Sequence, residues 1–387
     1  VNDAATLRTA VALRREIHRW PELGGREKRT TALVAKTLSR AGVPFRRARP
    51  TGGVAWVREG NGPCVALRAD MDALPLNEKT PSSFRSRVPG AMHACGHDAH
   101  TAMLLTAALR LKKEGLGAPG TVKFLFQPDE EGSNGAKSLL AQGAFRRPGV
   151  DAVFGVHVNP RLPAGTLGVK PGPLMAAVDR FTLTVTGEGG HGAYPHEGID
   201  AVVLAAQVVT ALQTLVSRRT DPVEPVVLTV GTIRGGERFN ILPSSVTLTG
   251  TVRTLSEKTH ARMPGWIRRT AEGVVRGQGG RVELKYEVLG RAVINDRAMA
   301  ALARRAAVET VGEGRAVALD VPSMGGEDFS EYLHRAPGCF VYVGTGADAR
   351  TRRPWHHAEF ALHEPSMLNG VKFYMTVARR ALRELAN

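Results

Sequence analysis

The chain has 387 residues, 43% hydrophobic and 23% charged, with 52 Lys and Arg against 36 Asp and Glu for a net charge of +16. That length exceeds what one hydrophobic core usually serves and predicts two domains. No apolar run approaches the roughly 18 to 20 residues of a membrane helix, so a soluble protein with no membrane partner is expected. The basic residues are scattered in pairs such as Arg46-Arg47, Arg218-Arg219, Arg304-Arg305 and Arg379-Arg380, without a basic helix or an aromatic RNA motif, which argues against a nucleic-acid partner. Charges at Arg8, Arg14, Arg15 and Glu16 break the N-terminal segment and predict no signal peptide. Three scattered cysteines, Cys64, Cys95 and Cys339, fit no disulfide framework, and a reducing, cytoplasmic location is expected.

In chain order, Leu7, Ala10, Val11, Leu13 and Ile17 fall at helical spacing within Thr6–Arg19, and a second helix is predicted over Lys28–Ala41, stopped by Gly42. Strand-like runs follow at Gly53–Val57, Cys64–Asp70, Thr121–Gln127 and Asp151–Val158, with a helix predicted over Ala99–Glu114. This alternation predicts an α/β catalytic domain with a mainly parallel central sheet flanked by helices, whose ligands gather outside the carboxyl ends of the strands. Three of the runs end on reactive residues: Asp70, then Glu130 and Glu131, then His157.

Between Val178 and Gly290 the pattern changes. An alternating strand through Phe181, Leu183 and Val185 is followed by an apolar helix over Ile199–Val216, strands at Val226–Ile233 and Ser245–Thr254, a helix, and a strand reaching Leu289. That order predicts an inserted α+β, ferredoxin-like domain at 178–290, with the first, α/β domain in two parts, 1–177 and 291–387. The second part is predicted to carry helices at Arg297–Thr310 and Pro365–Leu385.

The densest polar cluster is Met92–His100, holding His93, Cys95, His97, Asp98 and His100 just before an apolar helix. A thiolate and an imidazole two residues apart, across a glycine that lets the backbone turn, can ligate a metal pair. Asp98 can cap the helix and hold a ligand in place. Glu130 and Glu131 stand adjacent after a strand, so one can bind metal while the other takes a proton from water whose pKa a divalent cation has lowered. His157 and the His356-His357 pair complete five separate segments offering thiol, imidazole or carboxylate groups. The same residues leave two other readings open: a thiol hydrolase using Cys95 with His97, and a non-catalytic module binding acidic ligands on its basic surface.

Leu67–Pro75, Met92–His100, Glu130-Glu131-Gly132, Gly190–His196, Phe239–Pro243 and Gly325–Phe329 together resemble the N-acyl-amino-acid amidohydrolases. These form the hippurate hydrolase and indole-acetyl-amino-acid hydrolase branch of the aminoacylase and glutamate-carboxypeptidase clan of metallopeptidases. The likeness runs from Pro21–Gly24 to the His356-His357 segment.

The resemblance implies a metal-dependent amidohydrolase that cleaves N-acyl amino acids, with a dipeptidase or carboxypeptidase of the same clan as the alternative. It places two divalent ions (zinc, manganese, cobalt or nickel) on Cys95, His97, Glu131, His157 and His356, with Cys95 as the bridge and Glu130 as the general base. His356 is preferred to His357 because it stands four residues before Phe360, as in relatives. The wider clan's His-x-Asp motif is replaced by Arg68-Ala69-Asp70: Asp70 can still orient a ligand, but the Arg68 cation cannot ligate. The resemblance further implies that His191 acts on the active site of a partner subunit, so a homodimer or homotetramer is expected. The same resemblance implies that the inserted domain serves as a lid and dimerisation domain, that Asn240 and Arg253 hold the substrate's amide and carboxylate, that Gly325 and Gly326 line the acyl pocket, and that Glu327 supports the site.

Overall fold

In the computed structural model, which describes residues 2–386, every position of the strands Cys64–Asp70 and Gly120–Gln127 is buried. Continuous burial of this kind belongs to strands covered on both faces, and it explains why their sequences read as apolar runs rather than alternations. They lie at the middle of an eight-stranded sheet in the order Phe45–Arg47, Gly53–Glu59, Gly120–Gln127, Cys64–Asp70, Ala152–Pro163, Gly338–Gly346, Leu167–Val169 and Ala316–Ala318. The central four strands are mutually parallel. The helix His97–Glu114 is buried all round through its first twelve residues and packs between the sheet and the helices Asp3–Arg19 and Met367–Glu384.

One expectation changes here. Strand Ala152–Pro163 runs five residues beyond Val158, so His157 sits within it rather than closing it. The reason is its neighbour Gly338–Gly346, which pairs with it in parallel from Val153 to Pro163 and which the sequence reading missed. Residues 2–172, 294–321 and 328–386 form one compact unit.

The second unit comprises Pro173–Val293 and Pro322–Glu327. Its span brackets the expected 178–290, and it includes the loop at 322–327 that the sequence reading gave to the catalytic domain. Its sheet is antiparallel, in the order Val226–Arg234, Ser245–Thr254, Ala177–Thr186 and Arg281–Gly290. Phe181, Leu183 and Val185 alternate inward, as the period of two dictates. They meet Leu204, Val208 and Leu212 of helix Ala201–Thr214, and Met263, Ile267 and Ala271 of helix Glu257–Arg276. Among the described residues, Ala201–Arg219 is the one helical stretch long and apolar enough to cross a membrane by length and composition; here it lays one face on this core.

Candidate metal centre

Gly96 is where the chain turns from the Cys95 segment into the helix His97–Glu114. Its φ of 95° is in the left-handed region, and a Cβ there would stand 2.4 Å from Val158 Cγ2. Only glycine meets both conditions at once. Gly96 is also the helix N-cap, without a side chain to offer. Asp98, expected to cap and to steady a ligand, does neither. Its Oδ2 accepts from Arg14 Nε at 3.0 Å and His18 Nδ1 at 2.7 Å, fastening the helix Asp3–Arg19.

The five expected ligands converge. Cys95, His97 and His157 each offer a donor atom within 4.8 Å of the others, and so do Cys95, Glu131 and His356. The two sets share Cys95. A third set, His97, Glu130 and Glu131, brings the second glutamate alongside. The two buried imidazoles are each aimed by a neighbour. His157 Nδ1 lies 2.8 Å from the Val158 carbonyl, which only an N–H can satisfy, so its Nε2 presents a lone pair 3.4 Å from Cys95 Sγ. His97 Nδ1 faces Asp72 Oδ1 at 3.1 Å, and its buried Nε2 has no hydrogen-bond partner among the described residues. An orphaned imidazole nitrogen beside a thiol and carboxylates is the donor set a divalent cation fits.

The Glu130-Glu131 turn is fixed from several sides. Asp129 adopts a φ of 51°, its amide donates to Glu27 Oε1 at 2.8 Å, and the Glu131 amide donates to Asp72 Oδ2 at 3.0 Å. Gly24 explains the early Pro21–Gly24 motif, because a Cβ there would lie 2.1 Å from Asp129 Oδ1. His356 also has a left-handed φ, 63°; its amide donates to the Ala94 carbonyl at 2.9 Å, and its Nε2 lies 3.2 Å from Glu131 Oε1. The adjacent His357 instead accepts the Glu359 amide on Nδ1 at 3.1 Å.

Asp70 differs from its expected role. Its Oδ1 binds His100 Nδ1 at 2.6 Å and its Oδ2 binds Arg68 Nη1 at 2.6 Å. His100 Nε2 in turn accepts the Val158 amide at 2.9 Å, so both ring nitrogens are engaged. The carboxylate that orients His97 is Asp72, which the sequence reading quoted within the Leu67–Pro75 motif without giving it a task. Arg68, fully buried, forks between Asp70 and Asp328 Oδ1 (2.9 Å) and donates from Nε to Gln127 Oε1 at 2.7 Å. Arg68 is thus a buried cation that ties the ends of two strands, at Asp70 and Gln127, to the turn at Asp328 before the helix Ser330–Leu333.

The buried groups of the cluster shift in opposite directions. Burial pulls His97 down, but Asp70, the Cys95 sulfur and the Asp72 hydrogen bond outweigh it and hold its pKa well above the ordinary value. Burial pushes the Cys95 thiol well up and drives His157 well down, keeping the latter neutral as a ligand must be. For Asp70, burial is overcome by His97, His100 and Arg68, and it stays ionised.

The remaining expected residues belong to the inserted unit. His191 is exposed, pairs with Ile241 across a two-stranded ribbon, and accepts the Ala193 amide on Nδ1 at 3.1 Å. Asn240 adjoins it, its carbonyl accepting from Gly192 at 2.8 Å. Arg253 is half-buried on strand Ser245–Thr254, and a Cβ at Gly326 would stand 2.1 Å from Val178 Cγ2. The Gly325 carbonyl accepts from the Ala176 amide at 2.9 Å.

Among known proteins, the chain is 39% identical over 385 residues to an N-acetyl-L-cysteine deacetylase of Bacillus subtilis, covering 99% of this chain and 90% of that protein. It is 39% identical over 381 residues to an IAA-amino acid hydrolase (ILR1-like 4) of Arabidopsis thaliana, covering 97% and 86%. A crystal structure of a dinuclear metal-binding peptidase from family M20, from Bacillus subtilis, superposes with a TM-score of 0.87 at 34% identity, covering 98% of this chain and 99% of that one. The profile of Peptidase family M20/M25/M40 matches residues 66–380, which take in the whole donor cluster, and the chain belongs to that family.

Proposed function

We propose that this hydrolase cleaves the amide bond of N-acyl amino acids, with Glu130 as general base beside two divalent cations held by Cys95, His97, Glu131, His157 and His356. The observation that carries this reading is the pair of donor sets sharing Cys95, with Glu130 next to both His97 and Glu131. Support for the substrate class comes from the two relatives, whose names describe a deacetylase of N-acetyl-L-cysteine and a hydrolase of IAA-amino acids. Zinc, manganese, cobalt and nickel all suit a donor set of one thiolate, three imidazoles and a carboxylate.

When bound, the cations supply Lewis-acid polarisation of a carbonyl oxygen and bring the pKa of water toward neutrality. The chain's own residues do the rest. Asp72 aims His97 and, through the Glu131 amide, sets the glutamate turn. Glu130 takes the proton of the attacking water and delivers it to the departing nitrogen. Arg253 receives the substrate carboxylate, Asn240 its amide, and Gly325 and Gly326 the acyl group. His191 of one protomer serves the site of its partner by stabilising negative charge on the carbonyl oxygen. The homodimer this requires is supported by exposed apolar side chains on the inserted unit, Val202, Val203, Val227, Ile233, Phe239 and Ile241. A reducing, cytoplasmic setting is supported by the three cysteines, all free and buried.

The test is Glu130→Gln in the metal-reconstituted enzyme, assayed on acetyl, benzoyl, indole-acetyl and long-chain N-acyl amino acids. Turnover falls by about 10²–10⁴-fold or more with both ions retained. Substantial residual turnover, or full activity after exhaustive chelation, overturns the reading and favours a thiol mechanism at Cys95.

A further inference from the structure

A cavity of about 540 Å³ opens on the edge of the large sheet, lined by Arg46, Val54, Trp56, Arg58, Thr121 and Lys123 on the strands and by the turn at 141–148. Strand register explains the lining. Arg46 pairs with Val54, Trp56 with Lys123 and Arg58 with Thr121, so the period of two puts all six side chains on one face. Val54, Thr121 and Lys123 are buried at its floor, Trp56 is half-buried and Arg46 and Arg58 are exposed, so three of the six are cations and one is an aromatic ring.

The turn adds Arg146 and Arg147, which brings five cations to the cavity wall without an Asp or Glu among the lining residues. Nor does any of the five form an ion pair with a carboxylate among the described residues. Arg14, Arg15, Arg110, Arg180, Arg304, Arg305 and Arg380 by contrast all do so. Lys123 is 4% exposed and donates to the carbonyls of Ala144 (3.1 Å), Arg146 (3.0 Å) and Pro148 (2.7 Å). It therefore builds the wall and leaves its charge uncompensated by any anion. Arg46 donates to the Gln142 carbonyl, and Arg58 to Gly60 and Asn61, which holds both guanidinium groups in place while leaving other N–H groups free.

We propose that this cavity is a second ligand site, taking a nucleoside polyphosphate. The arginines meet the phosphates, for which their forked donors are suited, and Trp56 offers a stacking surface to the base. The volume is that of a small-molecule pocket rather than a groove for a polymer. The site is separate from the metal centre. Lys123 stands four residues before Gln127 on the same strand, about 13 Å along it from the end that carries Glu130 and Glu131.

Isothermal titration of the intact metal-loaded enzyme at physiological salt tests the proposal, using ATP, pyrophosphate and a single-stranded oligonucleotide, with Arg46→Gln/Arg146→Gln as the comparison. Both arginines are exposed and outside the catalytic machinery, so amide hydrolysis serves as the control for folding. The expected result is one ATP per chain, bound at least about fivefold tighter than pyrophosphate through stacking. The double variant weakens ATP by about tenfold or more with hydrolysis unchanged. Four results overturn the proposal: no saturable ATP binding at millimolar concentration, equal affinity in the double variant, pyrophosphate as tight as ATP, or an oligonucleotide far tighter than either. ATP acting as a competitive inhibitor of amide hydrolysis overturns it as well, because the nucleotide would then sit at the metal centre.

Discussion

Asp72 and His97, twenty-five residues apart in the chain, meet at 3.1 Å through Oδ1 and Nδ1, and the second oxygen of the same carboxylate takes the Glu131 amide. One buried carboxylate thus aims the His97 imidazole and anchors the turn that carries Glu131. Burial raises Asp72, but its contacts with His97 and the Glu131 amide outweigh this and keep it ionised. Outer partners of this kind fix ring orientation and ligand basicity. Replacing Asp72 with Ala is expected to weaken metal binding by about 10–100-fold, read by titrating metal into the apo-protein. Affinity within a factor of two of wild type would remove Asp72 from this role.

His356 and His357 separate cleanly by metal stoichiometry. His356→Ala should leave the protein with about one tightly held ion instead of two, measured by elemental analysis after gel filtration, because the second donor set loses a member. His357→Ala should retain both, since that ring only accepts a local amide.

Arg68 is a structural cation. Arg68→Met would leave Asp70 and Asp328 buried without their shared partner, and a loss of about 3–5 kcal/mol is expected by denaturant unfolding. Arg68→Lys should recover little of it, because a single ammonium cannot reach both carboxylates and Gln127 in the fork Arg68 adopts.

His18 makes stability depend on pH. Burial lowers its pKa, but Asp98 and Glu78 overcome this and hold it above the ordinary value. A raised folded-state pKa means that this contribution is fully present below the unfolded value of about 6.5 and is lost as pH rises through the folded one. Asp98 is held far below the usual carboxylate range against its burial, chiefly by Arg14 and His18, so its own contribution is lost only in strong acid. The melting temperature of His18→Gln should therefore lie further below wild type at pH 6 than at pH 9. A gap that is constant or widens with pH would refute the charged His18–Asp98 pairing.

Gly96 can be tested directly. Gly96→Ala combines a left-handed φ with a Cβ 2.4 Å from Val158 Cγ2, and a destabilisation of about 1–3 kcal/mol is expected, together with weaker metal binding as Cys95 and His97 shift.

Local pattern was enough to single out Cys95 and His97 across a glycine turn, whereas Glu130 and Glu131 at a strand end stood out only in the company of the other segments. It also marked the inserted unit, whose alternating Phe181, Leu183 and Val185 record a sheet with one buried face. The sequence reading left Gly338–Gly346 unassigned, its apolar run Cys339–Val343 being bounded by Gly338 and Gly344, and only the tertiary pairing shows that it carries its neighbour on to Pro163. Nor could local pattern assign the partners of charged groups. That Asp72 rather than Asp70 orients His97, that Asp98 turns to Arg14 and His18, and that Arg68 reaches Asp328 across 260 residues of chain are decisions of packing. A buried carboxylate must be paired, and which cation or imidazole pairs with it is set by the side chains the folded sheet brings within about 3 Å.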